Sequence, residues 1–285
     1  MLSSSPLFSG ENFDLSFSLT NMPPAGREGR GAQRRRSAAN GLTMQRLVEI
    51  WRILIEVSPR VLDAAGLVLD PQEMLLAERH RFAKDRDRFV ARRAARRFIL
   101  ARLTGAAPDA LRFAVGRYGK PALDGFDDIL FSASHSASIA LIAVAERAAS
   151  IAAVGVDVER LRVLADVGAL ADRVLSPEER ALVLKGGSIA AQTEGFLRHW
   201  TVKEAWLKAK GTGIGDDLRD LRVAFAANGD AVVRDGSDGI PHPVASFAPC
   251  AGYVAAAVGS ARGVTPRCRD FSWSAVLPAG RRGSG

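Results

Sequence analysis

Two short stretches of this chain hold the residue types that do chemistry. In GVDVER, Asp157 and Glu159 stand two residues apart, and in WTVKEAWLKAKGTG, Glu204 is set among Lys203, Lys208 and Lys210. Side chains two apart on a strand point to one face, with Cα atoms about 6.5–7 Å apart. Carboxylates so placed repel unless something positive intervenes. A divalent ion, an arginine or plain exposure to water each answers that, and the pair alone does not choose. Glu204 lies one helical turn from both Trp200 and Lys208, so the three share a stripe. Hard oxygen donors without histidine or cysteine favour magnesium, which takes few carboxylates and completes its shell with water and substrate phosphate. Asp157, Glu159 and Glu204 beside lysines therefore describe a site for magnesium and a phosphate ester, the bland alternative being a solvated helix end.

The elements that must position these groups are legible around them. IAAVGVDVER reads as a strand, and FLRHWTVKEAWLKAKG as a helix stopped by Gly211. SPEERALVLKGG reads as a short helix with Ser176 as N-cap and Pro177 at its first position. LVEIWRILIEV alternates like a half-buried strand, and FSASHSASIALIAVAE holds a strand's apolar run. A helix is entered through Asp70-Pro71, and a second, DRDRFVARRAARRFILARLTG, is closed by Gly105. Its Arg88, Arg92 and Arg96 form one stripe, which could simply be a solvated face. LRVAFAANGDAVVRD suggests a hairpin turning at Asn228-Gly229, GYVAAAVGS a closing strand, and FSWSAVL an edge strand. Strands and helices mix without strict alternation, so the fold class is α+β, with no internal sequence repeat evident.

The chain has 285 residues, 47% hydrophobic and 25% charged, enough for one large domain or two modest ones. No apolar run reaches the ~18 residues of a membrane span. Residues 1–43 are rich in Ser, Pro, Gly and Arg and lack a secretory h-region, so they read as a disordered extension, or as a misplaced start with Met44 the expected beginning. Cys250 and Cys268 lack the number and spacing of a disulfide framework or zinc site, which suits a cytoplasmic protein. Net charge is +8, and ten basic residues between Arg79 and Arg102 face only Asp85 and Asp87. That field favours a polyanionic ligand or an acidic protein partner.

GVDVER and WTVKEAWLKAKGTG, with LSPEE between them and RYGKPAL and FSASHS before them, resemble the 4′-phosphopantetheinyl transferases of the Sfp type. That family's patterns are YGKPxL, FNxSHS, GxDxE, an FSxxE-like segment and WxxKEAxxKxxGxG, in the same order. Leu175 replaces the usual phenylalanine of the fourth, and Ser132 stands where the family has asparagine. The resemblance implies a pseudo-dimer of two similar α+β halves, residues 44–150 and 151–280, with a tail at 281–285 and coenzyme A in the cleft between the halves. It further implies a monomer that moves phosphopantetheine from coenzyme A to a serine of an acidic acyl or peptidyl carrier protein. Asp157, Glu159 and Glu204 would hold magnesium. Lys120, Ser134 and His135 would face the 3′-phosphate and adenosine end, helped by Lys84, Arg88 or Arg117. Lys208 would lie on the pyrophosphate, and Glu179 would take the serine proton.

Two other classes fit part of the pattern. A metal-dependent phosphoesterase would share the carboxylates, but no second metal cluster is visible. A nucleic-acid-binding module would use the basic stretch, yet it needs stacking aromatics, and Phe89 and Phe98 there fit a buried helix face. Both leave the ordered motifs unexplained.

Overall fold

The structure, a computed structural model, describes residues 48–116, 119–148, 151–212, 218–236, 239–259 and 267–277. The expected extension at 1–43, the tail at 281–285 and Arg117 lie outside these residues. The described elements run β1 (Glu49–Leu54), α1 (Pro59–Gly66), α2 (Pro71–Glu78), α3 (Ala83–Thr104), β2 (Phe113–Val115), β3 (Pro121–Leu123), β4 (Ile129–Ser136) and β5 (Ile139–Glu146). They continue with β6 (Gly155–Arg160), α4 (Val167–Val174), α5 (Pro177–Leu184), α6 (Ile189–Lys210), β7 (Arg222–Phe225), β8 (Ala231–Arg234), β9 (Pro241–Phe247), β10 (Tyr253–Val258) and β11 (Arg267–Asp270). A strand, three helices, a hairpin and two further strands thus occur twice in succession. No sequence repeat announces this, because the recurrence lies in element order.

Sheet order repeats as well. Beside the two-stranded β2-β3 pair, β11-β1-β5-β4 forms one larger sheet, and β6-β10-β9-β8-β7 the other. In each, the first strand of the series pairs antiparallel with the last (β1 with β5, β6 with β10). Both central strands are apolar on both faces: β5 is IALIAVAE, and the alanines of β10 leave room for a helix above. Ala140, Ile142 and Val144 of β5 face the core under α3, where Ala91, Ala95 and Ile99 pack. Leu141 and Ala143 face the other way and share a second core with Val156 and Val158 of β6 and Ala255 and Ala257 of β10. That second core binds the two series together.

Local signals fix several helix ends. Asp70 and Ser176 each cap their helix in a reciprocal box with Glu73 and Glu179. Gly105 and Gly211 end α3 and α6 at φ 74° and 72°, a conformation that glycine adopts without Cβ strain. α6 begins at Ile189, capped by Ser188, about two turns before the Phe196 at which its apolar pattern suggests a start. The expected edge strand at FSWSAVL is a short 3-10 turn at Trp273–Ala275; the edge strand is β11, just upstream, parallel to β1. The arginine stripe of α3 is not a solvated face throughout. Arg96 and Arg97 are buried, donating to Glu73 at 2.7 Å each, and Arg97 also reaches Asp70 at 2.6 Å. Among the described residues no helix is long and apolar enough to cross a membrane.

Candidate functional site

The site begins with a glycine. A Cβ on Gly155 would lie 2.0 Å from the Ala205 carbonyl oxygen and 2.7 Å from the Ala209 nitrogen. Only glycine lets α6 rest this closely on the start of β6. The contact sets the register between Asp157, two residues along β6, and the stripe of α6 that carries Glu204 and Lys208.

Lys208 Nζ donates to Asp157 Oδ1 at 2.6 Å and to Ser134 Oγ at 3.1 Å, while Ser134 Oγ donates to the same Oδ1 at 2.7 Å. All three side chains are buried. Asp157 Oδ2 and Glu204 Oε1 are buried as well, and among the described residues neither has a hydrogen-bond partner. An orphaned carboxylate oxygen is costly to bury. Burial pushes the Glu204 carboxyl up to about 7; Lys208 opposes the shift, and Asp157 and Glu159 add to it. Burial and then Asp157 raise Glu159 too, while Ser136 and Arg162 hold it down. Among the described residues no group of three or more His, Cys, Asp or Glu is arranged to hold a metal ion. The donors are nonetheless suited to a hard cation that takes few protein ligands: Asp157 and Glu204 each present an unbonded buried oxygen, and Glu159 lies close enough to help raise Glu204.

Next to this cluster lies a cationic region. His135 is held neutral, its pKa driven well below the ordinary range by burial and then by Arg92, Lys208, Arg88 and Arg93. An open cleft of about 530 Å³ is lined by Lys84, Arg88 and Arg160 against one carboxylate, Glu56, with Ala137, Ser138 and Tyr253 on its wall. Lys84 reaches Glu56 at 3.1 Å, and Arg88 also pairs with it. The cleft lies where the α3 N-terminus and β4–β5 turn of the first series meet the end of β6 and the β9–β10 loop of the second. Ala137, in that turn, has φ 52°, a strained conformation for a residue with a Cβ.

The structure therefore brings Ser134, Asp157, Glu204 and Lys208 together, with Glu159 and His135 beside them and Lys84 and Arg88 in the adjoining cleft. Other expectations fall elsewhere. Glu179, expected as the base, is buried in the α5 cap, where Oε2 accepts from the Ser176 N–H at 2.8 Å and Lys203 Nζ at 2.7 Å, and Oε1 accepts from the Val223 N–H at 2.6 Å. Three of its acceptor positions are taken by donors of the α5 cap, α6 and β7. Lys203 completes its own shell with the Val174 and Leu218 carbonyls, and Lys210 pairs with Asp235 at 2.7 Å, so of the three lysines around Glu204 it is Lys208 that reaches Asp157. Lys120 is held by backbone carbonyls. Its Nζ donates to the Val154 carbonyl at 3.2 Å and the Ala209 carbonyl at 3.0 Å, tying the β2–β3 hairpin to the last turn of α6. Burial, with Arg147 adding to it, lowers its pKa to about 8.

Three residues near the site had no role assigned from sequence: Ser132, Ser136 and Arg160. The alternate serines of FSASHS, at strand spacing, were the available signal for the first two.

Residues 153–258 match the model of the 4′-phosphopantetheinyl transferase superfamily. The chain is 36% identical over 181 residues to the 4′-phosphopantetheinyl transferase HetI of Nostoc sp. (strain PCC 7120), covering 62% of this chain and 74% of that one. It is 29% identical over 134 residues to a 4′-phosphopantetheinyl transferase of Bacillus subtilis, covering 47% of this chain and 56% of the other, about half that relative's length. A solved holo-(acyl-carrier-protein) synthase of Bacillus anthracis, in complex with CoA (3′,5′-ADP), is 27% identical and aligns with 39% of this chain and 97% of its own, with TM-score 0.34.

Proposed function

Because the chain belongs to the 4′-phosphopantetheinyl transferase superfamily, a family of transferases, we propose that it moves the 4′-phosphopantetheine group of coenzyme A onto a serine of an acyl or peptidyl carrier protein, with magnesium. The observation that carries the magnesium-dependent part is the pair of buried, partnerless oxygens on Asp157 and Glu204, beside Lys208 and next to a cationic cleft. The recurring element order supports the reading of residues 44–150 and 151–280 as two halves with the coenzyme between them.

In this reading Asp157 and Glu204, with Glu159 beside them, would hold the magnesium, which would supply charge neutralisation and Lewis acidity to the transfer. Phosphoryl transfer needs little covalent help from the protein, so positioning and electrostatics dominate. Lys208 is held by Asp157 and Ser134 as a buried ammonium, a donor for the leaving phosphate that needs no reorganisation when charge develops. Arg88, Lys84 and Arg160 give the cleft its affinity for a phosphate-bearing ligand, and His135, its pKa lowered by burial and by Arg88 among other cations, adds no buried charge beside it. Proton removal from the carrier serine needs a carboxylate with a vacant oxygen. The unbonded Glu204 oxygen is the one assigned to the cation, and Glu179 already accepts from Ser176, Lys203 and Val223, so neither is assigned that role.

Release of adenosine 3′,5′-bisphosphate from coenzyme A tests the reading. Release that requires both an apo carrier and magnesium supports transfer to the carrier. Release without any carrier makes the protein a hydrolase and overturns it.

A further inference from the structure

β4 presents Ser132, Ser134 and Ser136 at alternate positions, which strand geometry places on one face. All three hydroxyls bond to β6. Ser132 Oγ accepts the Val156 N–H at 3.1 Å, and Ser134 Oγ donates to Asp157 Oδ1 at 2.7 Å. Ser136 does both jobs, accepting the Arg160 N–H at 3.1 Å and donating to Glu159 Oε2 at 2.8 Å. β4 and β6 are edge strands of separate sheets. An edge leaves a row of backbone groups to be satisfied by something other than a ladder, and here hydroxyls meet part of that need.

The serines divide by what they touch. Ser132 bonds to backbone. Ser134 and Ser136 each tie one oxygen of a carboxylate that the proposed function assigns to magnesium. Asp157 is held through Oδ1 and keeps Oδ2 buried and unbonded. The bonds that Glu159 accepts from Ser136 and Arg162 both fall on Oε2. Holding a carboxylate by one oxygen fixes its direction without using the other, as the outer partners of metal-binding side chains do.

We infer that Ser136 is a positioning residue for the transfer reaction, fixing the direction of the Glu159 carboxylate toward the cation by tying both Glu159 Oε2 and the Arg160 backbone to β4. The inference rests on the magnesium-dependent reading above. It assigns Ser136 a contribution to metal affinity, and Ser132, four residues earlier on the same face, a contribution to packing alone.

Ser136→Ala, Ser136→Thr and Ser132→Ala test it against the unmodified protein. Two quantities are measured: the magnesium concentration that half-saturates transfer, and magnesium binding by titration calorimetry with coenzyme A present and no carrier. Ser136→Ala weakens both about tenfold or more, while kcat at saturating magnesium stays within about threefold and Ser136→Thr stays near the unmodified protein. Ser132→Ala lowers the melting temperature and leaves both magnesium constants unchanged. Unaltered magnesium constants in Ser136→Ala overturn the inference, as does an equal weakening in Ser132→Ala, which would make the serines a packing seam. If the unmodified protein transfers in a magnesium-dependent way and Ser136→Ala matches it, only this inference falls. If it shows no transfer or no response to magnesium, the reading beneath falls too.

Discussion

Lys208 on α6 and Asp157 on β6 meet at 2.6 Å, both buried, with Ser134 of β4 bonded to each. One contact thus joins a helix and two sheets at the point where the proposed reaction takes place. Removing the ammonium leaves a buried carboxylate with a hydroxyl as its remaining described partner. Lys208→Ala is expected to lower kcat by about 10²- to 10³-fold, the usual effect of losing a preorganised donor. The chelated protein loses about 3 kcal/mol, as when one partner of a buried pair is removed. Steady-state kinetics and urea unfolding in chelator check the two parts, and a kcat near that of the unmodified protein contradicts the assignment.

Glu179 and Lys203 form a second buried pair, 2.7 Å apart, which caps α5 and anchors it to α6. Glu179→Ala should destabilise the protein by about 3–5 kcal/mol through the uncompensated lysine. The informative variant is Glu179→Gln. If Glu179 is structural, the acid limb of the pH–rate profile stays where it is in every variant that folds. Displacement of that limb by a full pH unit would restore Glu179 as the base.

The Glu204 carboxyl, raised to about 7 from an ordinary 4.5, makes stability depend on pH in a stated direction. Between those values the folded chain holds a proton that the unfolded chain has released. The stabilising contribution is therefore complete below pH 4.5 and is lost as pH rises through 7. The shift is of order 3 kcal/mol at about 1.4 kcal/mol per pH unit. In chelator, Glu204→Gln should be the more stable protein at about pH 8 by that order, with the gap closing toward about pH 5, while losing transfer activity. Denaturant melts at several pH values measure this. A stability difference that is flat with pH would show that the Glu204 carboxyl is not raised.

Gly155→Ala forces a methyl group to within 2.0 Å of the Ala205 carbonyl. Backbone cannot rotate aside as a side chain can, so α6 must lift from β6 at a cost of about 3 kcal/mol. Because the lift separates Lys208 from Asp157, kcat should fall more than KM for coenzyme A changes. Thermal melts and kinetics at saturating coenzyme separate the effects; a stable, fully active variant would show that the close approach is dispensable.

What could be read in the residue string followed from how local each signal was. Asp157 with Glu159, and Glu204 with Lys208, are period-two and period-four pairs, so their faces were deducible once strand and helix were assigned. Gly105 and Gly211 marked the helix ends, and Asp70 and Ser176 the helix starts, through cap chemistry that spans a few residues. The side-chain destinations of Lys203, Lys120 and Glu179 were not deducible. Each finds a partner more than twenty residues away, across a junction that no local period encodes. Lys203 precedes Glu204 in the chain yet points toward α5, a step of one residue around the helix that only packing resolves. β11 went unread for a related reason: it pairs with a strand over two hundred residues earlier.

Intact-protein mass spectrometry of an apo carrier protein, incubated with this protein, coenzyme A and magnesium, tests the central claim most directly. The account predicts that the carrier gains the mass of one phosphopantetheine. The gain is absent with chelator, with Glu204→Ala and with a carrier whose acceptor serine is alanine. Carriers from fatty-acid, polyketide and peptide systems that all remain unmodified, with coenzyme A intact, would contradict it.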